Sequence, residues 1–338
     1  MDKKKILIIN TGGTISSIKT EHGYEPLNDY IATAMANLPM LRHSELPSYV
    51  IIELQPLIDS SNMDLKDWNH IASIIAEHAE NYDGFVIFHG TDTMAYTASA
   101  LSFMLEHLNK PVILTGSQIP LSAVRSDALD NIITSLWLCA HQPIYEVCIY
   151  FAQKLLRGNR SCKVSAQEFM AFDSPNYPAL ADIGVHIKVH TALLLPPTHK
   201  PFRLQYLEPQ AISNMRLFPG MKIDVWQHLL AQPLQALVLE TFGAGNAPNH
   251  NPLFLKMLLD ATQKGMIIVN CSQCYHGQVE MDLYKTGLTL SNAGLISCHD
   301  MTVEAIHCKL QYLFSKYNNP SKIKHLFNLS LCGELSTN

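Results

Sequence analysis

No apolar run in the 338-residue chain approaches the ~20 residues that a membrane-spanning helix needs. Neither charge is in large excess: 24 basic residues stand against 29 acidic ones, net −5, and only 16% of residues are charged. Such a balance offers no basic footprint for a phosphate backbone, so neither nucleic acid nor membrane is expected as a partner. No low-complexity tract and no short repeat interrupts the chain. A Gly-x-Ser-x-Gly elbow is missing, which disfavours a serine hydrolase of that type. The basic start MDKKK leads only into a short strand-like run, without a long apolar stretch or a small-residue cleavage site, so no signal peptide is expected. The 8 cysteines are scattered, and free thiols in the cytosol are the default for them. Cys271 and Cys274 form a CxxC, but no second CxxC completes a zinc site. His186 and His190 lie four apart in a strand-like segment with no carboxylate spaced to join them, and read as surface or core histidines.

What is present is apolar and alternating. Hydrophobic residues make up 47% of the chain, enough for a large core, and the length suits two domains at ~100–200 residues each. The stretch KILIINTGGTI (5–15) reads as a buried strand that stops in a tight turn at Gly12–Gly13. Thr11 and Thr14 then stand at its carboxyl end, where open parallel sheets bind ligands. A hydroxyl held there becomes a nucleophile if a neighbour takes its proton. The bland alternatives are a plain corner or a phosphate cradle, and the stretch matches neither GxGxxG nor GxxxxGK[ST].

Further along, 49–54 reads as a strand leading to Asp59-Ser60-Ser61-Asn62, and 64–80 as an amphipathic helix capped by Asp64 or Asn62. Strands are expected at 84–89, 111–115 and 146–151, with helices at 94–108 and from about 127. Strand, polar loop and helix in alternation predict βαβ units and a mostly parallel sheet flanked by helices. The polar stretch 16–28, which contains Tyr24, reads as a mobile loop over the strand end. Proline-rich 191–211 breaks the rhythm and reads as a linker between a larger N-terminal domain, 1–190, and a smaller C-terminal α/β domain, 212–338. In the latter, 236–240 and 266–270 read as strands, with a helix to about 264 and a last helix over 301–317.

Three strand-end loops carry hydroxyls: Thr11/Thr14, Ser60/Ser61 and Thr91/Thr93. Asp92 precedes a helix, and its plainest role is as that helix's cap. A helix start also favours a carboxylate or a developing oxyanion. Lys163, in a loop after the fifth strand, is a solvated lysine unless the fold brings it to Thr91 and Asp92, where it could withdraw a proton from the threonine.

NTGGTI at 10–15 together with HGTDTMAYTASAL at 89–101 resembles the two signatures of the bacterial L-asparaginase family. The likeness continues through 59–61, TGSQIPLSAVRSD at 115–127, RGNRSCK at 157–163 and GAGNAP at 243–248, and so covers essentially the whole chain. The cytosolic type I enzymes are the nearest in wording. The resemblance implies hydrolysis of L-asparagine to L-aspartate and ammonia without metal or cofactor. It implies that Thr14 is the nucleophile, that Tyr24 of the lid assists it, and that Thr91, Asp92 and Lys163 form the second catalytic group. Asp59, Ser60 and Ser61 would hold the substrate's α-carboxylate and amine, with Asp92 sharing the ammonium. It further implies a cytoplasmic protein, assembled as a homodimer or as a dimer of dimers. Two departures stand out. The aspartate that often follows the serine pair is Asn62 here. Some type I enzymes have a second, activating asparagine site with an arginine where this chain has Glu240, beside Thr241; Cys274 matches a cysteine of that site. A glutaminase, the amidase subunit of a tRNA-dependent amidotransferase, and a catalytically silent amino-acid binding protein remain alternatives. The amidotransferase subunit carries an extra N-terminal domain, and Thr14, Tyr24, Thr91, Asp92 and Lys163 together speak against a silent protein.

Overall fold

A computed structural model describes residues 3–21, 23–281 and 285–337. The chain forms two compact units, 1–205 and 206–338, divided within the proline-rich stretch.

In the first unit, strand β1 (Lys5–Gly12) is followed by a hairpin of β2 (Ser17–Thr20) and β3 (Gly23–Pro26), helix α1 (Tyr30–Ala36) and strand β4 (Ser48–Ile58). Helix α2 (Leu65–His78), β5 (Gly84–Phe88), α3 (Met94–Met104), the two-residue β6 (Leu105–Glu106), β7 (Val112–Thr115), α4 (Ala128–His141) and β8 (Val147–Phe151) continue the alternation. After β8 the chain turns back through β9 (Lys154–Arg157), β10 (Cys162–Lys163), β11 (Phe172–Asp173), β12 (Ala181–Ile183) and β13 (Ile187–Val189), ending at β14 (Arg203–Leu204). The main sheet runs β13-β12-β9-β8-β7-β5-β1-β4. Its β4, β1, β5, β7 and β8 are parallel, whereas β9, β12 and β13 join antiparallel. Ile6 to Ile9 of β1 and Phe85 to Phe88 of β5 are wholly buried, as expected of strands covered on both faces.

The parallel strands follow the doubly wound order 2-1-3-4-5. The chain leaves β1 toward one side, to β4, and returns across it to β5 before moving on to β7. A crevice therefore opens at the carboxyl ends of β1 and β5, the topological switch point.

Several elements differ from the sequence reading. The stretch around Tyr24 is a paired hairpin and not an irregular loop: Ser17 pairs with Pro26 and Lys19 with Tyr24. Helix α3 ends at Met104, because β6 pairs there with β14. Thr191–Leu193 forms a short turn of helix and Arg203–Leu204 a short strand, so the proline-rich stretch is not bare. Asp64 does cap α2, through a capping box in which its backbone N–H donates to Asp67 at 2.8 Å.

The second unit is a parallel four-stranded sheet in simple order: β15 (Ile212–Arg216), β16 (Ala236–Thr241), β17 (Ile267–Ser272) and β18 (Ile296–Ser297). Its helices are α5 (Ile223–Leu230), α6 (Pro252–Gln263), α7 (Lys285–Asn292), α8 (Val303–Lys316) and α9 (Pro320–Phe327). Helix α9 follows the one expected to be last. Lys309 of α8 and Glu334 form a wholly buried ion pair at 2.5 Å. Lys309 also donates to the carbonyls of Phe327 and Leu329, and Glu334 accepts from the amides of Leu331 and Cys332.

Candidate active site

Three strand ends meet at the switch point. The amide of Gly13 donates to the Ile58 carbonyl at the end of β4 (3.2 Å), and Thr11 Oγ1 donates to the Phe88 carbonyl at the end of β5 (2.8 Å). Gly13 has φ 78°, in the region that favours glycine, and a Cβ there would collide with the Gly90 backbone. A Cβ on Gly90 would strike the Ser60 side chain in turn. Thr93 Oγ1 donates to the Ser60 carbonyl at 2.7 Å. The turn that carries Thr14, the loop that carries Asp59 to Ser61 and the loop that carries Thr91 and Asp92 are thereby locked against one another. Thr14 opens the helical turn Thr14–Ser16 directly after Gly13 and is half-buried. Ser60 is buried, while Asp59 and Ser61 face solvent, with Asp59 accepting from the Ser61 amide at 3.0 Å.

Lys163 reaches this place from β10. Its Nζ lies 2.8 Å from Thr91 Oγ1 and 2.6 Å from Asp92 Oδ1. Gly158, in the turn after β9, lets that segment lie against α3: a Cβ at 158 would already touch Ala98 Cβ and the Val147 carbonyl, each at 3.0 Å. Strand β10 then pairs with β11, which sets Lys163 opposite Phe172. The lysine is thus a placed residue and not a solvated loop lysine; its side chain is 19% exposed, against 63% for Asp92. Asp92 is not the cap of α3. Thr93 occupies that position, and the Asp92 carboxylate is turned to the lysine. An ammonium donating to Thr91 stabilises negative charge on its oxygen, and the same nitrogen, once neutral, accepts the hydroxyl proton.

Behind this loop lies a chain of hydrogen bonds that sequence reasoning missed. His89 is wholly buried, with Nδ1 2.7 Å from the Gly90 carbonyl and Nε2 2.8 Å from Thr97 Oγ1. A carbonyl only accepts, so Nδ1 carries the proton and Nε2 accepts from the Thr97 hydroxyl. Thr97 in turn accepts from Trp68 Nε1 at 2.9 Å. Burial lowers the His89 pKa to about 4, so the ring is neutral at neutral pH. The peptide just before Thr91 is therefore fixed by a sequence of donors with a single consistent direction.

Tyr24 stands on β3, and 55% of it is exposed. Glu240, Thr241 and Cys274 belong to the second unit. Glu240 is nearly buried and accepts from Asn214 at 2.7 Å, with Arg216 Nη1 at 3.5 Å on the neighbouring strand. Thr241 is buried and donates to Asn270 at 2.7 Å, whereas Cys274 is exposed. Lys264 ends α6 as its C-cap. Cys271 and Cys274 are free thiols, one buried and one exposed, and no group of three or more metal-ligating side chains occurs among the described residues.

Fold and site together define a two-unit α/β enzyme in which threonine hydroxyls and a lysine gather at the switch point of a parallel sheet. The family model described as "Asparaginase, N-terminal" matches residues 5–195, and that described as "Glutaminase/Asparaginase C-terminal domain" matches 212–327. The chain belongs to the asparaginase family. It is 45% identical over 336 residues to L-asparaginase 1 of Escherichia coli (strain K12), with 99% of each chain covered. Its fold superposes on L-asparaginase I from Vibrio cholerae with a TM-score of 0.93 at 43% identity, covering 99% of this chain and 100% of that one. The thermostable L-asparaginase from Thermococcus kodakarensis gives a TM-score of 0.89 at 30% identity, over 99% and 100% of the two chains.

Proposed function

We propose that this protein hydrolyses L-asparagine to L-aspartate and ammonia, with Thr14 as the nucleophile. The observation that carries the reading is Lys163 Nζ held between Thr91 Oγ1 and Asp92 Oδ1, in a loop locked against the Thr14 turn. A primary amide resists attack, so the reaction needs an activated hydroxyl and stabilisation of the oxyanion. Thr14 Oγ1 bonds to the side-chain amide carbon as the hairpin covers the substrate; its proton passes to the Tyr24 hydroxyl, which gives up its own to the amide nitrogen. The C–N bond then breaks, ammonia leaves, and water cleaves the resulting ester. Thr91 and Lys163 handle the proton of the second nucleophile. Asp59, Ser60 and Ser61 take the α-carboxylate and amine, and Asp92 shares the ammonium, which orients the side-chain amide over Thr14. The protein works without a cofactor, in the cytoplasm, as a homodimer or a dimer of dimers.

Ammonia release by the purified protein decides the substrate. A kcat/KM for asparagine above that for glutamine supports the reading, and the reverse order makes the chain a glutaminase, an outcome that the joint glutaminase/asparaginase description of its C-terminal family keeps in view. Light scattering of the same sample reads the assembly. For the second site that some type I relatives use, we infer that Glu240 leaves it without an activating role. An effector carboxylate would meet a like charge there, and Arg216 is already turned to Glu240.

A further inference from the structure

We propose that Asn10 and Glu53 are positioning residues that tie the Thr14 turn to both ends of the hairpin carrying Tyr24. The inference rests on the reading of Thr14 and Tyr24 given above. Asn10 is wholly buried on β1, directly opposite Glu53 of β4 in the parallel register. Its Oδ1 accepts from the Gly12 amide (3.1 Å) and from Ser16 Oγ (2.7 Å), and its Nδ2 donates to Glu53 Oε1 (2.9 Å). Only this orientation of the amide satisfies all three partners, because the Gly12 N–H only donates and an ionised carboxylate only accepts. The other oxygen of Glu53 accepts from the Asp29 amide at 2.7 Å.

The result is one continuous path, Ser16–Asn10–Glu53–Asp29. Ser16 closes the turn that Thr14 opens and stands immediately before β2. Asp29 lies just beyond β3 and holds φ 60°, an uncommon conformation for a side-chain-bearing residue that surrounding contacts must enforce. Ser16 and the hairpin exit are also joined directly, the Leu27 amide donating to the Ser16 carbonyl at 3.1 Å. Entry and exit of the hairpin are therefore both referred to one side-chain pair in the sheet, of which Asn10 is wholly buried and Glu53 partly so, while Tyr24 is exposed to solvent. Loss of the pair frees the hairpin's base, and with it the angle at which Tyr24 approaches Thr14.

Glu53→Gln is the gentler variant: it keeps one acceptor for Asn10 or Asp29 and turns an N–H against the other. Asn10→Ala removes all three bonds, and Glu53→Asp keeps the charge on a shorter arm. Three readouts separate positioning from a merely structural role. Hydrogen exchange of the amides of 17–26 should quicken roughly tenfold in Glu53→Gln, with β5 and β7 unchanged. The kcat for asparagine should fall roughly ten- to hundredfold, as expected when a reacting group is misplaced by about an ångström, with partial recovery in Glu53→Asp. In a double-mutant cycle with Tyr24→Phe the losses should be less than additive. A folded Glu53→Gln and a folded Asn10→Ala that both keep kcat within twofold of the parent, or unchanged hairpin exchange, would overturn the inference. Turnover by Thr14→Ala would instead remove the assignment of the nucleophile, and the exchange measurement would still decide whether the pair holds the hairpin.

Discussion

Lys163 Nζ lies 2.8 Å from Thr91 Oγ1, although the two residues are 72 positions apart in the chain. β9 runs back from the carboxyl end of β8, and the segment from Gly158, laid against α3, then returns the chain to Thr91. Lys163→Met keeps most of the unbranched side chain and removes the amine. The rate of asparagine hydrolysis should fall by about two to four orders of magnitude, the usual size of a general-base contribution. Steady-state ammonia release measures it, and a variant within a factor of two of the parent returns Lys163 to a structural role.

Thr14→Ala should end turnover and leave the fold intact. Thr14 is only half-buried and sits in a turn held by backbone hydrogen bonds, so the change in unfolding free energy should stay under about 1 kcal/mol. Substantial hydrolysis by the folded variant would give the role to another hydroxyl.

His89 makes stability depend on pH. Its folded pKa of about 4 lies below the ordinary 6.5, so between these values the unfolded chain binds a proton that the native state refuses. Stability from this group is complete above pH 6.5 and declines as pH falls toward 4, by on the order of 3 kcal/mol in all. Urea unfolding of the parent and of His89→Gln at pH 7 and pH 4.5 tests this. The glutamine variant should show a smaller loss between the two pH values, and parallel losses would count against a buried neutral His89.

Legibility in the sequence followed length and burial. β1, β5 and β7 are apolar runs because both faces of a parallel sheet are covered, and they could be read directly. The ends of β1 and β5, and with them Thr14 and Thr91, came with those runs. The hairpin at 17–26 was not visible as such, because most of its residues face solvent and no alternation marks it. β10 has only two residues, too few for any period, so Lys163 looked like a loop residue. His89 was a histidine at the end of an apolar run; its partner Thr97, and Trp68 that donates to Thr97, come from two different helices and share no local pattern with it. Asn10 and Glu53 are 43 residues apart and meet only through the register of β1 and β4.

Lys309 and Glu334 answer to a different balance. Both are wholly buried, and burial lowers the lysine's pKa while the carboxylate opposes that shift. Lys309→Met leaves the Glu334 carboxylate buried without its cation and should destabilise the protein by about 3–5 kcal/mol. The double change Lys309→Met/Glu334→Gln should recover part of that loss. Equal stability of Lys309→Met and the parent in urea titrations would show that the pair contributes nothing.

The dependence of rate on asparagine should be hyperbolic. Glu240 keeps 10% side-chain exposure, accepts from Asn214 and draws Arg216 toward itself, which leaves an effector carboxylate facing negative charge. Rates over a wide concentration range test this, and a sigmoidal curve altered by Glu240→Ala would overturn it. Gain of cooperativity in Glu240→Arg would support the role of this position.

A Cβ on Gly13 would run straight into the Gly90 backbone, and on that side the contact has no slack. At an ordinary core contact an enlarged side chain can be accommodated by a smaller one opposite, so the two positions drift together over generations. No residue is smaller than glycine, so no substitution at 90 can make room for a side chain at 13. A mutation at 13 is a one-sided injury that position 90 cannot repair, and any suppressor must act by moving whole strand ends, whereas a side chain at 90 would meet the Ser60 side chain. The junction of the two motifs is thus closed to the pairwise exchange by which most of a protein's interior changes its sequence.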